Sequence, residues 1–556
     1  MSSVVILICG IGQQTWWKPA PTVTLTVPVS SDTSAVLLDN AALTAHSGET
    51  TVRVTADSDI VAGAAIQSDV EAWLGDGQAE IVTVAGDEEG DTPELSVTSQ
   101  GTEDVPSAAG SDLWITEFDG SEYLVFSLEA QNSEAVILSG GEDSTIRSVR
   151  LQWAQDTSAP LALPLLIIGG LTLIAGGAML AVAIRHERKA VAPRRVSRRA
   201  AGKNRAAQPR TRRRGRRAAA MGAAAVSGVI ALVLTGCSAG EAALSSSATA
   251  SAVVENTTVS ENSPRLTSEQ AIRILSDISA VDAEASSSLD ASVAEQRFSG
   301  AALTLRTQNY AARAQDDSVA AVTLVPDLAP SVFLPQLSSE WPRQAFVVVG
   351  GESEDDTSQA LMLVQESPRE NYTVAAQVEL VGQLPALPAA STGGVSLAAD
   401  TSLLTISPSE VGDAYSDVIA NGDQSEFAEL FASTSDSFID AVHAREDKIT
   451  SDLGSSASVS FARSQDAQVT PLSMATADSG AIVAVFVTDV ETMTPADGYE
   501  LEVSGETAAL LGKSTTEKSV VATYGDVFLF SVPGAGSTQK VSLLGFSSGI
   551  ISAEEK

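Results

Sequence analysis

Apolar and polar residues alternate with a period of two through much of the region 22–156. Such alternation puts every second side chain on one face of a strand, and turn residues such as Asp76-Gly77 and Asp119-Gly120 interrupt it at roughly regular intervals. The pattern predicts an all-β sandwich of antiparallel strands in this region. The predicted strands cover residues 23–27, 51–55, 80–84, 113–117, 123–127 and 146–153.

Helical spacing of apolar residues appears in the last 290 or so positions, in two sections that each open on the sequence of a capping box. The boxes are formed by Thr267 with Gln270 and by Ser407 with Glu410, at the start of sections near 266–297 and 408–450. In a capping box the two side chains satisfy the free N–H groups of the first helical turn, so each pair predicts where a helix begins.

Strand patterns follow each helical section, which predicts two α+β units, 265–383 and 395–556. In each unit we expect helices to pack on one face of an antiparallel sheet, in the manner of cystatin-like or NTF2-like folds. The strands are predicted at 319–325, 345–349, 361–365 and 373–381, and then at 482–487, 520–523, 527–532 and 541–546.

Residues 161–184 form an apolar run of 24 residues without a charge. A helix of that length spans about 36 Å, and a bilayer core is about 30 Å thick. The run is therefore predicted to be a transmembrane helix that separates the β region from the rest of the chain.

The charges are strongly segregated along the chain. Residues 185–217 hold 15 Lys and Arg and one acid, whereas the part before them holds four basic and 25 acidic residues and the part after them 14 and 44. The chain as a whole carries a formal charge of −37. Because basic residues favour the cytoplasmic side of a membrane, 185–217 is predicted to be a short cytoplasmic loop and both acidic portions to be extracytoplasmic. Contact with anionic lipid, rather than nucleic acid, is the expected role of the loop.

A second apolar segment, 218–237, follows the basic loop and ends in Leu234, Thr235, Gly236 and Cys237. A basic start, an apolar middle and small residues at the end are typical of bacterial secretion signals. The last four residues resemble a lipobox, which implies that Cys237 is acylated and becomes a new N-terminus after cleavage. The alternative is an ordinary second transmembrane helix. Residues 238–264 are small and polar and are predicted to be a flexible tether.

Residues 1–21 begin with a short apolar run that is too short to span a bilayer. Because the export of an acidic region needs a signal sequence, we interpret this segment as a possible truncated signal.

Few residues offer catalytic or metal-binding chemistry, since the chain has two Cys and three His. The acidic loop 87–91 lacks the Gly and Glu that an EF-hand starting at Asp87 would need at positions 92 and 98. The GxSxG pattern at 545–549 has no His after it. We therefore predict no catalytic residues, no cofactor and no metal site.

Four segments resemble actinobacterial envelope proteins, in which an exported β domain with one transmembrane helix is joined to a lipoprotein of unknown function. They are residues 69–75 (DVEAWLG), residues 110–114 (GSDLW), the lipobox and residues 412–415 (GDAY). The expected function is that of a non-catalytic, membrane-anchored cell-envelope protein. Its expected partners are the lipid bilayer and other envelope proteins or cell-wall components. The alternative is an envelope hydrolase that uses an Asp/Glu pair.

Overall fold

The computed structural model describes residues 2–18, 20–30, 33–85, 94–130, 133–140, 144–155, 161–190, 264–350 and 357–556. The acidic loop 87–91, most of the basic loop, the segment 218–237 with Leu234, Thr235, Gly236 and Cys237, and the tether up to residue 263 lie outside these residues. The chain divides into two compact units, one of residues 1–19 and 157–257 and the other of residues 20–156 and 258–556.

The helices, in chain order, are α1 (Ser2–Gln14), α2 (Asn40–Leu43), α3 (Gln67–Leu74), α4 (Ala162–Ala190), α5 (Ser268–Ser288), α6 (Ala291–Ala294), α7 (Gly300–Gln315), α8 (Val411–Asn421), α9 (Ser437–Leu453) and α10 (Gly505–Leu511). The strands are β1 (Thr22–Val27), β2 (Ala35–Leu38), β3 (Thr50–Ile66), β4 (Ala79–Ala85), β5 (Glu94–Gln100), β6 (Thr116–Leu128), β7 (Glu134–Gly140), β8 (Ile146–Ala154), β9 (Val332–Pro335), β10 (Arg343–Val349), β11 (Gln359–Gln365), β12 (Thr373–Leu380), β13 (Ala457–Gln465), β14 (Leu472–Ala475), β15 (Ala481–Pro495), β16 (Leu501–Glu502), β17 (Thr515–Thr516), β18 (Val520–Val532) and β19 (Ser542–Glu555).

The first unit is built from α1 and α4, which pack against each other in opposite directions. Among the described helices, α4 alone is long and apolar enough to cross a membrane, over Ala162–His186. The contact relies on small residues, because a Cβ added to Gly169 would lie 2.8 Å from Leu7 and one added to Gly10 would lie 3.0 Å from Leu166. Close approach at glycine is a common basis for helix association in lipid.

Residues 20–156 form an eight-stranded sheet in the order β1-β8-β3-β7-β2-β4-β5, with β6 paired to β3. All pairs are antiparallel except β2 with β4, and the strands form one sheet with α2 and α3 beside it, so the predicted all-β sandwich of antiparallel strands is wrong in its layering and in this pair. The long strand β3 holds the sheet together, because it pairs with β6 along one edge and with β8 and β7 along the other. Alternate side chains of β2 and β7 enter two separate cores, one inside the curved sheet and one beneath α3.

The region after residue 264, here called the C-terminal body, contains a nine-stranded sheet in the order β13-β15-β18-β19-β12-β11-β10-β9, with β14 paired to β15. The two halves of this sheet join where β12 pairs with β19, at Glu379 with Phe546 and Leu380 with Gly545. The strands predicted in 265–383 and those predicted in 395–556 therefore share one continuous sheet.

Three large hydrophobic cores and two small ones lie among the described residues of this body. Alternate residues of β10 and β11 face α5 and α7 on one side, and alternate residues of β15 and β18 face α8 and α9 on another. The remaining apolar faces of the two half-sheets, which include Phe346, Met362, Phe486 and Leu529, meet in a shared core. Helices thus cover the outer faces of two sheet layers. This arrangement confirms helix-packed sheets, while the cystatin-like or NTF2-like geometry stays a prediction.

The capping boxes had opposite outcomes. Thr267 accepts from the Gln270 N–H at 3.2 Å and the Gln270 side chain accepts from the Thr267 N–H at 3.0 Å, so the first box is confirmed. The second is wrong: the Ser407 hydroxyl donates to the Glu410 carboxylate at 2.6 Å, and α8 begins only at Val411.

Three strand predictions are also wrong. Residues 113–115 are irregular and β6 begins at Thr116, so that the predicted turn Asp119-Gly120 lies inside a strand. Residues 319–325 are irregular throughout. The segments 520–523 and 527–532 form one strand, β18, because its pairing with β19 continues through a bulge at Thr523/Tyr524.

Candidate functional site: an interface inside the second unit

Two of the segments that carry the sequence resemblance lie together on one face of the β region. Residues 69–75 form most of α3, and residues 110–114 form the loop before β6. Trp73 and Trp114 are buried and meet edge to face, with ring centroids 5.3 Å apart. Gly63 on β3 makes room for this packing, because a Cβ there would lie 2.4 Å from the Trp114 ring. The C-terminal body packs against this face, which we call the interdomain interface.

Asp69 is the first anchor of the interdomain interface. Its carboxylate accepts two hydrogen bonds from the guanidinium of Arg343 on β10, at 3.0 and 2.8 Å, and Arg265 lies 3.5 Å away. Asp69 is 2% exposed and Arg343 is 1% exposed. The Arg343 guanidinium also stacks on the Trp341 ring, 3.6 Å from its centroid. A bidentate pair of this kind fixes both distance and orientation.

Asp112 is the second anchor. Its Oδ2 atom accepts from Arg297 and from the Tyr372 N–H, the latter at 2.8 Å. Asp112 is 1% exposed, and burial raises the pKa of its carboxyl against the opposing influence of Arg297. Breaking one side of such a pair would leave a buried charge without compensation, which costs about 3–5 kcal/mol.

Main-chain carbonyl groups complete the interdomain interface. Arg369 donates to the Trp73 and Leu74 carbonyls, both at 2.8 Å, where α3 ends and its free carbonyls carry partial negative charge. Arg273 donates to the Trp114 carbonyl at 2.7 Å. Gln270, which already closes the capping box of α5, donates to the Asp112 and Leu113 carbonyls, both at 3.1 Å.

The C-terminal body contributes basic residues to the interdomain interface, although its overall composition is strongly acidic. Only 14 Lys and Arg follow residue 217, against 44 acids. Five of those 14 contact the β region, namely Arg265, Arg273, Arg297, Arg343 and Arg369. Sequence reasoning singled out residues 69–75 and 110–114 as a resemblance but did not identify them as a contact surface. The sequence carried no usable signal for this contact, because half of the α3 residues are polar and an Asp in the first turn of a helix is ordinary at an exposed position.

A second polar group lies inside the C-terminal body, on the sheet face that α9 covers. Asp489, Glu491 and Asp526 are nearly fully buried there, with Arg463 and Arg445 as cationic neighbours. Burial raises the pKa of Glu491, and it raises the pKa of Asp526 to about 6. One oxygen of each of the three carboxylates accepts no hydrogen bond from the described residues, although that of Glu491 lies 3.8 Å from the Arg445 guanidinium. Nothing in the amino-acid sequence distinguishes these three acids from the other acids of the C-terminal body.

The remaining sequence candidates lie apart from both groups. The pattern at 545–549 lies within β19, so no helix follows the serine. His443 contacts the Ile419 carbonyl at 2.7 Å, and His46 packs against the Trp153 ring. Tyr415, in the fourth resemblance segment, is a core residue whose hydroxyl donates to Asp436 at 2.7 Å. No cluster of three potential metal ligands occurs in the part of the chain that the structure describes. The lipobox residues are outside that part.

Comparison with known proteins gives one family. The family model for a domain of unknown function, DUF8094, matches residues 262–555. Neither the curated proteins nor the solved structures include a match to the chain. The matched region covers the described C-terminal body except Lys556, includes the five arginines of the interdomain interface, and spans more than half of the chain. The chain therefore belongs to the DUF8094 family.

Proposed function

We propose that the protein is a non-catalytic scaffold of the cell envelope, anchored in the cytoplasmic membrane by α4 and resembling actinobacterial envelope proteins. In this proposal the β region and the C-terminal body both lie outside the cytoplasm, and Cys237 is the lipidated residue of an internal lipoprotein signal. Each half of the C-terminal body acts as a cystatin-like or NTF2-like module. The scaffold recruits other envelope proteins or cell-wall components.

One observation carries this proposal: two buried Asp–Arg pairs join the β region to the DUF8094 region across the interdomain interface. Replacing a buried ion pair by apolar residues is often neutral or stabilising, so we infer that these two pairs serve to fix the orientation of the two regions. A chain that needed only to tether two independent bodies would have no use for such pairs. Their presence favours a composite body of fixed geometry, which is what a scaffold requires.

Cleavage of the connecting chain tests whether the interface itself holds the two parts together. A protease site inserted after residue 250 of the Cys237→Ala variant, in which the chain stays continuous, and an affinity tag after residue 556 allow the purified protein to be cut in detergent micelles. We expect the β region to remain on the affinity resin after cleavage. Release of the β region from the unmodified interface would contradict the scaffold proposal.

Charge reversal supplies the matched comparison. The double variant Arg297→Glu/Arg343→Glu should lose the β region, because each buried Asp would then face a second carboxylate. We expect the free energy of association to fall by about 4 kcal/mol or more, which corresponds to roughly a thousandfold weaker association. Lys513→Glu/Lys540→Glu makes the same change in net charge at side chains that are nearly half exposed, and should retain the β region. Partial recovery in Asp69→Arg/Arg343→Asp would assign the effect to the pair itself.

The alternative function, an envelope hydrolase, is supported by Asp526, whose pKa of about 6 differs from that of an ordinary carboxyl. A carboxyl group whose pKa is raised and that lies beside a second acid is typical of general acid–base pairs. Turnover of peptidoglycan fragments that is abolished by Asp526→Asn would favour the hydrolase over the scaffold.

A further inference from the structure

A cavity of about 350 Å³ lies where the two halves of the C-terminal body meet. Its walls come from α7, the segment 320–323, β12, β19 and the first turn of α10. Leu305 and Phe546 supply apolar surface, and polar side chains lie among them. The volume is in the range of pockets that hold small organic molecules.

Arg306 is the sole cationic side chain among the described residues that line this cavity, and four of its five N–H groups already donate to protein acceptors. Its guanidinium makes two hydrogen bonds of 2.9 Å to Asp282 and one of 2.7 Å to Gln377. It also stacks on Phe298, 3.7 Å from the ring centroid. The positive charge of Arg306 is therefore neutralised inside the wall.

The unsatisfied polar atoms of the cavity wall are mainly acceptors. Asn309 is 9% exposed, and its amide nitrogen donates to the Ala320 carbonyl at 2.8 Å, which leaves Oδ1 buried without a protein partner. Leaving such an acceptor unsatisfied costs about 1–3 kcal/mol. Glu506 is half-buried, and burial raises the pKa of its carboxyl with no cation acting against it. Glu379, whose carboxylate accepts from Thr323 at 3.0 Å, adds a second negative charge.

We propose that this cavity binds a small organic cation, namely a primary ammonium group carried on an apolar body. Its N–H donors would reach the Asn309 Oδ1 atom and the Glu506 carboxylate, and its apolar part would lie against Leu305 and Phe546. A wall whose unsatisfied polar atoms are mainly acceptors selects a donor-rich ligand, and two carboxylates without an unpaired cation beside them select a positive one. The cavity is separate from the interdomain interface, so this proposal does not depend on the scaffold proposal.

The test uses the full chain in detergent micelles at pH 7.5, with calorimetric titration of 2-phenylethylammonium chloride. The matched probe is 2-phenylethanol, which has the same apolar body and no charge. We expect the ammonium compound to bind at least about tenfold more tightly than the alcohol. Equal affinity, or no binding of the ammonium compound up to about 10 mM, would overturn the proposal.

Three variants locate the binding. Glu506→Gln keeps the size of the side chain and removes its charge, so affinity should fall about tenfold. Glu502 lies at an exposed position on β16 outside the cavity, so Glu502→Gln should leave the affinity within about twofold of its original value. Ser547→Trp fills the cavity from β19 and should abolish binding.

Circular dichroism of each variant verifies that it is folded. Where Ser547→Trp does not fold, Glu506→Gln and the two probes decide the question. Binding that is insensitive to Glu506→Gln would contradict the assignment, because the ammonium group would then lie elsewhere.

Discussion

Buried carboxylates in this protein occur in two electrostatic situations. Asp69 and Asp112 each lie against an arginine and connect the β region to the C-terminal body. Asp526 instead accepts from the Ser548 hydroxyl and has a second acid, Asp489, close enough to oppose its ionisation, while Arg463 and Arg445 act more weakly. Burial raises the pKa of both Asp112 and Asp526, but Arg297 is the main influence against that rise at Asp112, whereas at Asp526 the arginines act more weakly and Asp489 adds to the rise.

The sign of the pH dependence at Asp526 follows from that difference. A carboxyl whose pKa is raised from 3.8 to about 6 on folding contributes stability that is complete below about pH 4 and is lost as pH rises through about 6. The lost contribution is about 3 kcal/mol at neutral pH. Asp526→Asn should therefore raise the free energy of unfolding at pH 7.5 by up to about 3 kcal/mol and change it little at pH 4.

Urea unfolding of the full chain in detergent micelles at both pH values measures this effect. Asp497→Asn, at an exposed position, is the matched control and should change stability by less than about 0.5 kcal/mol. A stabilisation by Asp526→Asn that is equal at pH 4 and pH 7.5 would show that ionisation of Asp526 is not its cause.

At the scale of elements, the two capping sequences allow a direct comparison. Thr267→Ala removes a hydroxyl that accepts from the first turn of α5, so we expect a loss of about 1 kcal/mol in unfolding free energy. Ser407→Ala removes a hydroxyl that bonds to a surface carboxylate, and should cost less than about 0.5 kcal/mol. Chemical denaturation of both variants under one condition gives the comparison. Equal losses would mean that the hydroxyl of Thr267 is not acting as a cap.

Local pattern predicted most strands of both regions but not the segments whose backbone is satisfied by distant side chains. Residues 319–325 have the composition of a strand, yet the Ala320, Thr323 and Leu324 carbonyls accept from side chains of α7, β12 and β11. The Val325 N–H donates to Asp282 at 2.9 Å. These donors replace a neighbouring strand, so no ladder is needed. Period-two spacing carries no information about such partners.

The interdomain interface could not be predicted from the sequence pattern for the same reason. Residues 113–117 alternate as a strand would, but the Leu113 and Trp114 carbonyls accept from Gln270 and Arg273, more than 150 residues away. The Trp114 indole donates to the Ala108 carbonyl at 2.6 Å, which holds the segment as a loop. Sequence indicated that residues 110–114 were distinctive. Only the three-dimensional structure shows that they contact the DUF8094 region.

At the scale of the whole molecule, the segregation of charge leads to a prediction of topology. Reporter fusions after residues 150, 200 and 300 should report the outside, the cytoplasm and the outside, because α4 and the segment 218–237 flank the basic loop. Alkaline phosphatase and a fluorescent protein that matures only in the cytoplasm give opposite readouts at each site. A cytoplasmic signal at 150 or at 300 would contradict the predicted topology.

Lipidation of Cys237 is the prediction in which topology and the interdomain interface combine. Cleavage before Cys237 would divide the chain into a β region attached to α4 and a DUF8094 region attached to lipid. Metabolic labelling with an alkyne palmitate should therefore mark the C-terminal fragment, and Cys237→Ala should lose the label and restore the full-length band. Because the two Asp–Arg pairs do not depend on chain continuity, the labelled fragment should still co-purify with the β region. Unchanged label and band sizes in Cys237→Ala would instead identify 218–237 as a second transmembrane helix, with the two regions joined by the chain as well as by the interface.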